Sequence, residues 1–163
     1  RDKFRIRVYN MRDDVIKLEC KHKSNGYIKK QSVNLSRKEY EQLMMGRRGF
    51  LLNRPEPFAH RMYLEFTQRA LKPAVIVDYT REPFVFPMED VRITFDKDIR
   101  TAYRATDMFD ANLPTYPVID GGDMVLEVKF NRFLSTYVRS LLQPERCQRS
   151  AISKYVLCRK FEL

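Results

Sequence analysis

Histidine and cysteine are scarce in this chain, and their scarcity removes several chemistries. Two histidines and three cysteines occur in 163 residues. Cys20, Cys147 and Cys158 are odd in number and show no C-x-x-C spacing, so they read as reduced thiols packed as small hydrophobes. Cys20 and His22 share a strand face, but it is the apolar one. His60 brings no second ligand pair, so a zinc site is not expected. No apolar run approaches the ~18 residues of a membrane span. Internal repeats, low-complexity tracts and long linkers are missing as well. The reduced thiols predict a cytoplasmic protein; no signal peptide is visible, but the sequence opens on Arg1 rather than Met, which predicts a fragment from which targeting information is missing.

Positive charge is what the chain has in excess. There are 31 Lys and Arg against 21 Asp and Glu, a net charge of +10. An anionic partner is expected: phosphate compounds, nucleic acid or an anionic membrane. The length suits one domain over residues 1–163, and 44% hydrophobic residues are enough for a core.

The charges follow a strand period. Lys3, Arg5 and Arg7 alternate with Phe4, Ile6 and Val8; Lys17, Glu19, Lys21 and Lys23 alternate with Ile16, Leu18, Cys20 and His22. Arg92, Thr94, Asp96, Asp98 and Arg100 alternate with Ile93, Phe95 and Ile99, and Glu127 and Lys129 sit between Leu126, Val128 and Phe130. Successive strand residues point to opposite faces, so each segment has one apolar and one ionic face. A solvated face of an ordinary antiparallel sheet would show the same alternation. Two features favour more than that. The polar positions lean to Arg and Lys instead of Thr, Ser and Gln, and the few acids fall in E-x-K and D-x-D spacings. Such a face suits a polyanion with a divalent metal.

Strands are predicted near 3–10, 15–23, 27–35, 74–86, 91–103 and 124–131. Ser24-Asn25-Gly26 is a hairpin signal, and Asp120-Gly121-Gly122-Asp123 a similar turn. Ser36 opens a helix to about Gly46, with Glu39 completing a capping box. A second helix spans 57–71 and stops at Pro73, with Met62, Phe66 and Leu71 on its apolar side. A third covers 131–142, its stripe of Phe133, Leu134, Tyr137, Leu141 and Leu142 expected in the core. The last covers 149–161, with Ile152, Tyr155, Val156 and Phe161 expected to be buried. Lys38, Arg47, Arg48 and Lys72 read as solvated charge. Helices laid over the apolar faces would turn the ionic faces inward, giving an α+β fold: an antiparallel β-barrel with a basic polar lumen and helices outside. Buried cations without anions are costly, so such a lumen calls for a phosphate-rich ligand.

At these residues the sequence resembles the VTC domain, the polyphosphate-polymerase branch of the CYTH or triphosphate-tunnel superfamily. The matching stretches KFRIRVYN, IKLECKHK, VIVDYTREPFV, VRITFDKDIR, LEVKF and AISKY run in order along nearly the whole chain. The resemblance implies an eight-stranded antiparallel tunnel, Mn²⁺ or Mg²⁺, and transfer of the ATP γ-phosphoryl group to growing polyphosphate. It implies that Arg5 and Arg7 grip phosphates as an R-x-R pair, with Lys21 on the next strand. Lys30, or Lys29 in the other register, would be the basic residue of the strand after that. Arg81 matches the arginine of a Y-x-R segment and Arg92 that of an R-x-S/T-x-D strand. Glu127 matches the metal-binding glutamate, with Lys129 beside it, and Ser153 and Lys154 match an S-K pair that touches phosphate. Arg7, Glu127 and Lys154 are the catalytic candidates.

Two strands that open the family pattern, one E-x-K-Y and one carrying Tyr-Phe-Asp, are not in this sequence. The expectation is therefore an N-terminally truncated barrel with open edges that self-associate or pair with missing chain. Other readings stand beside the polymerase. A triphosphatase would use the same clamp with water as acceptor, and a silent module would bind polyphosphate or nucleotides without turnover. Nucleic acid ranks last, because Phe4, Phe95 and Phe130 share parity with the apolar face, away from the arginines. Glu127 could equally pair with Arg92 or Lys21. Asp96 and Asp98 read as partners of neighbouring cations before metal ligands, and Glu19 as an ion-pair partner that orients lysines.

Overall fold

A two-residue turn starts the chain's first hairpin. Asn10 and Met11 both take positive φ, 51° and 53°, the geometry that lets two twisted strands pair tightly. This computed structural model describes residues 2–25, 27–102, 106–131, 133–142 and 149–160. The expected Gly26 of the second hairpin, Cys147 and Phe161 lie outside them, as do single positions in the expected strand 91–103 and helix 131–142.

The chain divides into two compact units, Arg1–Ala74 with Asp107–Ala111, and Val75–Thr106 with Asn112–Leu163. In the first, β1 (Asp2–Tyr9), β2 (Arg12–Ser24) and β3 (Tyr27–Leu35) form an antiparallel sheet in that order. Helices α1 (Arg37–Met44) and α2 (Pro57–Gln68) follow. The Ser36 capping box forms as the sequence requires: Glu39 N donates to Ser36 Oγ at 3.2 Å, and Ser36 N donates to Glu39 Oε2 at 2.8 Å. Ile16, Leu18, Cys20, Val33 and Leu35 from the sheet pack with Tyr40, Leu43, Leu51, Phe58, Ala59 and Met62 in one buried cluster. The apolar strand face is thus covered by helices, as the alternation predicted. Arg48 departs from expectation: its Nη1 donates to the carbonyl of Phe66 at 2.7 Å, so it ties down the end of α2 instead of standing in solvent.

In the second unit β4 (Ile76–Phe86) and β5 (Val91–Ala102) form a long antiparallel pair. The two-residue β6 (Tyr116–Pro117) and β7 (Val125–Lys129) both pair with β5. Asp123 N donates to Asp120 O at 3.0 Å in the predicted turn, with Gly122 at φ 93°. Helices α3 (Thr136–Leu141) and α4 (Lys154–Lys160) complete the unit.

The fold is α+β with antiparallel sheets, as predicted, but its strands form two separate sheets of three and four strands; no closed barrel is formed among the described residues. Two further expectations are corrected. Phe133, Tyr137, Leu141, Ile152, Tyr155 and Val156 are exposed, and Val138 and Cys158 are the buried residues of α3 and α4. Helices of six and seven residues are too short to lay a continuous stripe on a sheet. The five-residue alternation from Arg92 to Arg100 is also broken. Asp98 sits at φ 50° where β5 holds one residue more than β4 between the pairs Asp78↔Arg100 and Thr80↔Lys97. This bulge shifts the phase, so Asp98 and Arg100 leave the face of Asp96. Arg100 Nε instead donates to Thr115 Oγ1 at 2.8 Å.

Candidate functional site

Register gathers the ionic residues of the first sheet. Across β1–β2–β3, Arg5 opposes Glu19 and Glu19 opposes Ser32; Arg7 opposes Lys17 and Lys17 opposes Asn34; Lys3 opposes Lys21 and Lys21 opposes Lys30. Directly opposed side chains share a face, so Lys3, Arg5, Arg7, Lys17, Lys21 and Lys30 crowd one side around a single carboxylate. That carboxylate, Glu19, is fully buried. Arg5 Nε lies 2.6 Å from Oε2, Arg7 Nη2 3.8 Å from the same oxygen, and Lys30 Nζ 2.7 Å from Oε1. Burial works to raise the Glu19 carboxyl, but hydrogen bonds from Lys30 and Arg5 and the neighbouring arginine charges outweigh it, and the group stays below its ordinary range. Arg7 also donates to Tyr9 Oη at 3.2 Å, a bond that pulls the phenol below its usual value.

The two lysines of the third strand lie on opposite faces. Lys29 pairs with His22 on the opposite face, while Lys30 reaches Glu19. Lys21 is exposed and has no carboxylate partner among the described residues.

The second sheet repeats the device with other parts. Asp96 on β5 is fully buried and lies opposite Arg81 on β4. Arg81 grips it in a fork, Nε to Oδ1 at 2.6 Å and Nη2 to Oδ2 at 2.7 Å. Lys154 from α4 closes on Oδ2 at 2.5 Å. Burial again pushes the carboxyl up, and the bonds from Arg81 and Lys154 bring it below its ordinary value; the fork in turn raises Arg81. Tyr79, two residues before Arg81, sits under both cations, with Arg81 5.2 Å and Lys154 5.1 Å from the ring centre. The Y-x-R spacing carried that signal, since residues i and i+2 share a strand face.

Glu127 on β7 opposes Thr94, and Lys129 opposes Arg92, so all four lie on the Asp96 face. Glu127 is held loosely: Arg81 Nη2 is 3.8 Å from Oε2 and Lys129 Nζ 3.3 Å from Oε1. With its side chain 41% exposed it can accept further ligands, unlike Glu19 and Asp96. No cluster of three or more His, Cys, Asp or Glu suited to a metal occurs among the described residues. A lone available carboxylate fits a hard cation that takes its other ligands from phosphate oxygens and water, as Mg²⁺ does. Ser153 precedes α4, and its carbonyl accepts from Leu157 N at 3.0 Å. Arg92 is exposed.

Each predicted residue is thus located within its own unit: Arg5, Arg7, Lys21 and Lys30 in the first, and Arg81, Arg92, Glu127, Lys129, Ser153 and Lys154 in the second. Periodicity did not assign Arg81, which has the opposite parity to Asp78 and Thr80 on β4; its partner Asp96 is set by the β4–β5 register. No helix among the described residues is long and apolar enough to cross a membrane. The model of one family, the VTC domain, matches residues 1–162. No curated protein and no solved structure matches the chain.

Proposed function

Since the chain belongs to the VTC domain family, we propose that its charged sheet faces bind the phosphates of ATP and polyphosphate and carry transfer of the ATP γ-phosphoryl group onto the polyphosphate end. The observation that supports this most is the electrostatic arrangement. Within each unit, cations from separate strands, joined in the second by Lys154 of α4, converge on a fully buried carboxylate, and in the second unit Glu127 stays available on the face of Asp96.

Phosphoryl transfer needs little covalent work from protein side chains. It needs an in-line arrangement and positive charge against the transferring group. Arg5, Arg7, Arg81 and Arg92 suit bidentate contacts with phosphate oxygens, and Lys21, Lys30, Lys129 and Lys154 supply compact charge. Ser153 would add a hydroxyl donor beside Lys154. Buried Glu19 and Asp96 fix the guanidinium planes before a ligand arrives, which lowers the ordering cost of binding. Glu127 would hold Mg²⁺ or Mn²⁺, and the bound ion would offset charge on the phosphate oxygens. The attacking group is a terminal phosphate oxygen, so no side chain serves as nucleophile.

The test is product analysis with ATP and Mn²⁺. Long polyphosphate supports the polymerase; ADP and inorganic phosphate alone support the triphosphatase; binding without turnover supports a silent module. Glu127→Gln should abolish metal-dependent turnover while thermal unfolding stays close to wild type. Undiminished ATP consumption in that variant would remove the metal role.

A further inference from the structure

Thr94 has a buried hydroxyl with no bonding partner among the described residues. The residue is 3% exposed, and its Oγ1 has no hydrogen-bond partner among the described residues. Buried polar groups are almost always paired, and an unpaired one destabilises the fold. Valine has nearly the same shape and suits a strand equally well without the orphan group. A threonine kept in that condition points to a partner that arrives from outside the chain.

Its position indicates which partner. Thr94 lies on β5 between Arg92 and Asp96, on the charged face, and its opposed neighbour on β7 is Glu127. Opposed side chains across an antiparallel ladder have Cβ atoms about 4.5–5.5 Å apart. One ligand could therefore touch both the hydroxyl and the carboxylate. Nearby Asp96 is consumed by Arg81 and Lys154. Glu127 keeps capacity for a ligand, and the Thr94 hydroxyl can both donate and accept.

We propose that Thr94 is a further ligand-contact residue, bonding an oxygen of the metal–triphosphate bound at Glu127. The oxygen belongs to a phosphate or to water on the metal. The inference rests on the phosphate-binding reading above, and it adds to that site a neutral hydroxyl among its ionic groups.

The experiment is calorimetric titration of tripolyphosphate, with and without Mg²⁺, into wild type, Thr94→Val and Thr94→Ser, with ligand-free melting curves for each. Thr94→Val should melt at or above wild type, because the unpaired hydroxyl is gone. It should nonetheless bind tripolyphosphate with Mg²⁺ about 10-fold more weakly or worse, and Thr94→Ser should recover most of the loss. A loss seen only with Mg²⁺ assigns the contact to water on the metal; a loss in both conditions assigns it to phosphate. Wild-type affinity in Thr94→Val, whatever its melting temperature, overturns the inference and leaves the phosphate-binding reading standing. A wild type that takes up no tripolyphosphate overturns both.

Discussion

Glu19 and Asp96 are acids buried where a sheet ordinarily keeps its hydrophobic side chains, and each is tolerable only because cations enclose it. Replacing a buried ion pair by apolar residues is often neutral, whereas removing one partner is costly. Glu19→Gln should therefore reduce stability at neutral pH by about 1–3 kcal/mol, measured by urea unfolding. The sign with pH follows from the direction of the shift. The folded-state carboxyl titrates below its ordinary value of 4.5, so its contribution is complete above that pH and is lost as pH falls through the folded value. The gap between wild type and Glu19→Gln should accordingly close on acidification, and a gap that stays constant would contradict the pairing. At the same scale, Lys30→Ala should weaken tripolyphosphate binding, whereas Lys29→Ala, on the other face, should leave it unchanged.

Among the elements, hairpin turns and one bulge set which side chains meet. Met11 holds φ 53° in the β1–β2 turn, a conformation costly for a residue with a Cβ. Met11→Gly creates an Asn-Gly turn and should stabilise the fold by about 1 kcal/mol, raising the melting temperature by roughly 2–4 °C. An unchanged or lower melting point would mean the turn tolerates the side chain without strain. The Asp98 bulge acts in the opposite sense to a sequence pattern. One extra residue in β5 shifts the register beyond Thr80, so that Arg100 pairs with Asp78 and leaves the face on which Asp96 meets Arg81 and Lys154. Alternation alone could not show this, because a bulge leaves polar residues at the same sequence spacing while changing their faces.

For the molecule as a whole, a net charge of +10 and one-sided cation faces make long-range electrostatics dominate any encounter with a polyanion. Arg7→Ala should weaken tripolyphosphate binding at low salt, and the difference from wild type should shrink toward zero near 1 M salt, where the screening length falls to about 3 Å. A loss independent of salt would assign Arg7 to packing instead. The exposed apolar side chains of α3 and α4 belong to this scale too. Stripes at helical spacing read as core in the sequence, yet their burial depends on what the helices have to pack against, and these helices are too short to cover a sheet.

The strands, the Ser36 cap, the Asp120 turn and the one-sided charge were legible in the residues, because side-chain period and local hydrogen bonding are properties of neighbouring positions. So were the cations themselves. Tertiary structure alone decided how they are spent: Lys154 meets Asp96 across a long stretch of chain, Arg81 meets it directly across the β4–β5 ladder, and Glu127 is left with room for a ligand while Thr94 has no hydrogen-bond partner among the described residues. Ion pairing across strands depends on register, and register is a property of two segments at once, which neither segment's sequence contains.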